Sequence, residues 1–191
     1  IITRRNILSA AAALALTLAP VSEAMAGPSV KQIVSKANIA AYYQGNDGRA
    51  KVRLTIVDAQ GRKRIRQFTI LRKNEQAGGD QKFLVLFTRP ADVRRTVFMV
   101  NKHVRRDDDR WMYLPALDLV KRIAAADKRT SFVGSHFFYE DISGRGLNED
   151  RHKLVKTTDK HYVVRATPKK PREEEVAHYT VWADKKTMVP A

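Results

Sequence analysis

The apolar residues of this chain change period once, at the turn cluster Gly45-Asn46-Asp47-Gly48, and that change constrains the fold more than any other feature. Before it, Val30, Ile33, Val34, Ala37, Ala40 and Ala41 recur at three-and-four spacing behind Ser29, which predicts one amphipathic helix over residues 29–43. After it the period is two. Val52, Leu54 and Ile56 alternate with Arg53 and Thr55, Ala59-Gln60-Gly61-Arg62 supplies a hairpin turn, and residues 65–71 return as an antiparallel partner. Arg64, Arg66, Phe68 and Ile70 share one parity, which predicts a bulge near Gln67. The run Phe83-Leu84-Val85-Leu86-Phe87 is apolar at both parities and is expected to be covered on both faces. Further strands are expected over residues 96–101, 111–114, 120–124, 153–158, 162–167 and 177–183. Short strands between turns, behind a single helix, predict a mainly β fold built on a curled antiparallel sheet or barrel.

The two ends carry a different message. Residues 1–26 hold Arg4-Arg5, an apolar stretch from Ile7 to Leu18, then Pro20 and Ala24-Met25-Ala26, the layout of a secretory signal peptide cut after Ala26. The stretch falls well short of the about 20 apolar residues that span a bilayer. Arg4-Arg5 fits both general and twin-arginine export. The mature domain is then residues 27–191, in the periplasm. Both ends read as clipped from a longer chain, since it begins at Ile1 and stops just past strand-like residues. With no cysteine, neither a disulfide nor a lipid at the cleavage site is available.

A net charge of +16 would point to nucleic acid in the cytosol. Outside it, the anionic surfaces on offer are lipid head groups or an acidic protein face, so no nucleic-acid partner is expected. A solvated basic surface that aids solubility is the alternative.

Catalysis finds no constellation to rest on. The five histidines stand singly, without metal-ligand spacing, so no metal and no cofactor is expected. Asp107-Asp108-Asp109 lacks the alternation and closing glutamate of a calcium loop and reads as a charged hairpin tip. Glu173-Glu174-Glu175 reads as a solvated loop of mixed charge. No Gly-x-Ser-x-Gly surrounds any serine, and Gly144-Arg145-Gly146 is too short to cradle a phosphate. The chain is expected not to be an enzyme.

The segment Ser131-Phe132-Val133-Gly134-Ser135-His136-Phe137-Phe138-Tyr139 is a poor strand and an indifferent helix, with four aromatics among glycine and serine. It is either a mobile cover over an apolar surface or a set of rings that completes the core.

Together with Trp111-Met112-Tyr113-Leu114-Pro115-Ala116-Leu117 and the basic strand Lys121-Arg122-Ile123, it resembles the signature of LolA-like outer-membrane lipoprotein-sorting proteins. His136 stands where that pattern has an aspartate. The resemblance implies a half-open antiparallel β-barrel with an N-terminal helix, a lid segment on the concave side and further strands beyond Ala191. It also implies a carrier that binds acyl chains in an apolar cavity for transfer toward the outer membrane. The partners implied are a lipid or lipidated protein, an inner-membrane transporter and an outer-membrane acceptor. Leu54, Ile56, Phe83, Val85, Phe87, Trp111, Tyr113, Phe132, Phe137 and Tyr139 are expected to face the ligand or its cover, with Lys121 and Arg122 at a head group or holding the lid. A second reading is a non-catalytic adaptor that docks on a transporter of the resistance-nodulation-division type or on anionic lipid, without cargo.

Overall fold

The computed structural model describes residues 27–174 and 176–190; the expected signal peptide lies outside the described residues. The helix α1 spans Val30–Tyr42. Ser29 starts it with a capping box: its hydroxyl accepts from the Gln32 amide, and the Gln32 side chain accepts from the Ser29 amide at 2.8 Å. The end of α1 and the turn after it are met from the sheet. Arg72 donates to Tyr42 O and Gln44 O, and Gln81 Nε2 to Tyr42 O at 2.9 Å, satisfying groups a helix end leaves open.

Among the described residues nine strands follow, each where the sequence pattern expects one. Six form an antiparallel meander: β1 (Asp47–Val57), β2 (Lys63–Asn74), β3 (Gln81–Arg89), β4 (Val97–Lys102), β5 (Asp109–Leu114) and β6 (Leu119–Ile123). Three form a second antiparallel sheet: β7 (Asp150–Thr157), β8 (His161–Pro168) and β9 (Tyr179–Asp184). The sheets curl without closing a barrel among the described residues, and α1 packs against β7 and β8.

Register sorts the large sheet into two faces. Phe68 pairs with Phe87, and the row Ile70, Val85, Phe98, Met112 crosses four strands, as does the row Phe83, Val100, Arg110, Ile123. The apolar side chains of these rows and Phe132 form the main core on the concave face. A smaller core joins Ile33 and Ala37 of α1 to Val164 and Ala183. The bulge near Gln67 exists, but the extra residue is Thr88 on β3, so β2 keeps its alternation. The expectation that β3 is covered on both faces fails: Phe83, Val85 and Phe87 are buried, whereas Leu84 and Leu86 sit half-exposed on the outer face.

Candidate functional site

Between β6 and β7 the chain crosses the concave face as an aromatic hairpin. A 3-10 turn at Ala125–Asp127 leads in, a bridge pairs Ser131 with Phe138, and a second 3-10 turn at Glu140–Ile142 leads out. Its tip is a tight turn, Ser135 N donating to Phe132 O at 3.0 Å, with positive φ at both Val133 (49°) and Gly134 (76°). Glycine adopts that conformation freely; a β-branched valine there is strained by about 1–3 kcal/mol.

The hairpin inserts Phe132 into the sheet. Its ring is 1% exposed, with the rings of Phe68, Phe87, Phe98 and Tyr139 centred 5.9, 5.8, 5.6 and 5.8 Å away. The expected hollow is therefore occupied in this structure by the protein's own side chain.

How the hairpin is held matters more than what it fills. Every hydrogen bond that residues 130–139 make among the described residues closes within residues 127–141. The Ser135 hydroxyl donates to Phe132 O and accepts from Phe137 N, Ser131 Oγ donates to Ser135 O, and Phe138 N donates to Asp141. The hairpin meets the sheet through apolar packing, the rings of Phe132 and Tyr139 with Val133 beside them, so lifting it breaks no hydrogen bond to the sheet.

Its two feet are held by charge. Lys128 and Arg129 before it and Glu140 after it enter a cluster with Arg145, Glu149, Asp150 and Glu174. Arg145 is the hub: Nε and Nη2 donate to the two oxygens of Asp150 at 2.7 and 2.9 Å, and Nη2 donates to Glu174 at 2.9 Å. Tyr179 of β9 donates to Asp150 at 2.6 Å, and burial together with that carboxylate pushes its hydroxyl pKa up. The side chain of the loop acid Glu174, expected in solvent, is instead 5% exposed, with two arginines to neutralise it. Beside the cluster, buried Lys102 donates to Gly144 O at 2.6 Å, and burial lowers its pKa.

The expected site residues divide by parity. Phe83, Val85, Phe87 and Phe132 meet in one cluster, with Leu54 and Tyr139 packed against it. Ile56 is buried at the far end of β1, outside that cluster. Trp111 and Tyr113 alternate with core residue Met112 and so lie on the outer face. Phe137 is 52% exposed and points away from the rings that Phe132 joins. Lys121 pairs across from Met112 and lines a hollow of about 270 Å³ with Ile123, Asp127, Thr130 and Tyr139, whereas Arg122 lies outside, paired with Asp109 at 2.9 Å. The aspartate run is not a solvated tip throughout: Asp108 is half-buried and accepts from the buried Arg110 at 2.6 Å.

Sequence reasoning missed Phe68, Phe98 and the Arg145 cluster. Alternation within β2 and β4 could have found the two rings; nothing local marks Arg145, whose partners lie up to 29 residues away. A second apolar hollow, about 230 Å³, lies between α1 and the three-stranded sheet, walled by Ile33, Ala37, Leu147, Val164 and Val181. It is smaller than the about 300–1,000 Å³ of ordinary small-ligand sites.

Residues 79–191, more than half of the chain, match a family model described as "uncharacterized protein". The chain belongs to that family. Two solved structures share its fold and make the protein LolA-like. One is described as an outer membrane lipoprotein-sorting protein domain from Vibrio parahaemolyticus, 29% identical, with a TM-score of 0.71 over 83% of this chain and 67% of that one. The other is a DUF1329 family protein from Desulfovibrio piger, 29% identical, with a TM-score of 0.70 over 84% of this chain and 70% of that one. No curated protein matches the chain. The mainly β, half-open architecture implied by the LolA-like signature is the one observed.

Proposed function

We propose that this LolA-like protein is a non-catalytic periplasmic carrier, exported with its leader cut after Ala26, that binds acyl chains of a lipoprotein or lipid against the concave face for transfer toward the outer membrane. The hairpin over residues 130–139 is its lid. One observation carries this reading: the hairpin is held to the sheet by apolar packing with no hydrogen bond between them among the described residues, so an acyl chain offers the sheet the same contacts that Phe132 does.

Magnitudes favour exchange. Burying a phenylalanine side chain stabilises by about 1.5–3 kcal/mol, and strain at Val133 offsets about 1–3 kcal/mol of that. Each methylene covered from water contributes about 0.8 kcal/mol, so three or four methylenes outweigh the plug. A sixteen-carbon chain gains roughly 12 kcal/mol in a dry cavity or in a bilayer, which makes unaided diffusion across water negligible and leaves loading and release to a small bias. An inner-membrane transporter as donor and an outer-membrane acceptor are the partners such a carrier requires. The sorting-protein description of its Vibrio neighbour supports the same class of cargo.

The experiment is mass spectrometry of organic extracts from chain purified without detergent. Acyl lipid in stoichiometric amount is the expected result. The adaptor reading is favoured by the filled interior, and an extract free of acyl lipid selects it instead.

A further inference from the structure

The outer face of the six-stranded sheet is bare. Register sets Leu71, Leu84, Met99 and Trp111 in one row across β2 to β5, and Leu86, Val97, Tyr113 and Val120 in the next across β3 to β6. No residue of either row is buried, although their neighbours of opposite parity form the main core. The rows run out into the β5–β6 hairpin, where Leu117 is 69% and Val120 63% exposed. Single apolar residues on a surface need no explanation; two adjoining rows do.

Beside those rows, the same face of β1 and β2 carries Arg49, Lys51, Arg53, Lys63 and Lys73. None of the five has a salt-bridge partner among the described residues. Three carboxylates border the face: Asp47 opposite Lys73, Asp109, which Arg106 and Arg122 already neutralise, and Asp118 of the β5–β6 turn, which accepts from the Tyr113 hydroxyl at 3.0 Å. The face is thus apolar at one side and basic at the other.

We infer that this face docks on an anionic phospholipid bilayer, with the β1 and β2 basic side chains over the head groups and the Trp111 and Tyr113 rows at the interface. Aromatic rings with one polar edge suit head-group depth, and lysines and arginines beside them are drawn to an anionic leaflet. A protein partner fits less well, because lysine is depleted where proteins bury each other's surfaces. The inference goes beyond cargo binding, since it uses the face opposite Phe132 and holds whether or not an acyl chain enters.

The test is sedimentation of the purified chain with vesicles of phosphatidylcholine alone and of phosphatidylcholine mixed with phosphatidylglycerol. Binding to the mixed vesicles only, lost at high salt, is expected. Trp182→Phe leaves Trp111 as the one tryptophan, and its emission is expected to shift to the blue on binding. Replacing Lys51, Arg53 and Lys63 together by Gln lowers the partition by about a hundredfold, and Val120→Asp by about tenfold. Equal binding of the unaltered chain to both vesicle types overturns the inference. So does an unshifted Trp111 on bound vesicles, or a concentration-dependent dimer that ignores vesicles, which assigns the face to a second copy.

Discussion

Phe132 and Tyr139 stand edge to face near the two ends of one hairpin, their ring centres 5.8 Å apart and their planes at 86°. Both belong to a segment whose hydrogen bonds are local, yet both enter the sheet's core, so the same two rings that complete the fold are the ones an incoming acyl chain would displace.

Truncating the plug separates those roles. Phe132→Ala is expected to lower stability without ligand by about 3 kcal/mol, measured by urea unfolding. The same variant should bind a fatty acid about tenfold more tightly or better, because the ligand no longer competes with a side chain.

Arg145 answers for four carboxylates, so its removal leaves buried charge without a partner. Arg145→Met is expected to cost about 3–5 kcal/mol in urea unfolding. Replacing Arg145 and Asp150 together by Met and Leu should restore part of that loss, since paired removal strands fewer charges.

Acid should loosen the same cluster. Burial works to raise the pKa of Asp150 and Glu149, but hydrogen bonds and charge from Arg145, Tyr179 and Lys128 hold both below the usual carboxylate range. A carboxylate depressed in the folded state adds stability that is complete above its unfolded pKa and is lost as pH falls through the folded one. His152, pushed below 6.5 by burial, follows the same sign and begins its loss earlier. The urea midpoint is therefore expected to drift down slightly below about pH 6.5 and steeply below about pH 4, with Asp150→Asn flattening the steep limb.

Gly144 couples the cluster to α1. Its φ is +76°, and a Cβ there would lie 2.5 Å from the Tyr42 ring. Gly144→Ala should destabilise by about 2–4 kcal/mol, and adding Tyr42→Leu should recover the clash but not the roughly 1–2 kcal/mol of backbone strain.

Most strands were legible because a half-buried sheet writes itself as alternation, and β3 because an unbroken apolar run between turns does the same. What alternation does not write is which parity faces inward. Trp111 and Tyr113 outsize Met112, yet Met112 takes the core position, since rings with a polar atom tolerate a wet face and a thioether does not require one. The same limit hid the difference between Phe132 and Phe137, expected to act alike, which is set by a turn at Val133-Gly134 that puts one ring in and the other out. Arg145 was illegible for another reason: a buried arginine is identified by its partners, and these come from three separate stretches of chain.

The most direct measurement is to label the chain with a fatty acid carrying a photoreactive diazirine at its methyl end and to map the modified residues. The carrier account expects label on peptides containing Phe68, Phe87 and Phe98, competed by unlabelled fatty acid and increased in Phe132→Ala. Label confined to the outer face, at Trp111 or Val120, or label that competitor leaves unchanged, would contradict it.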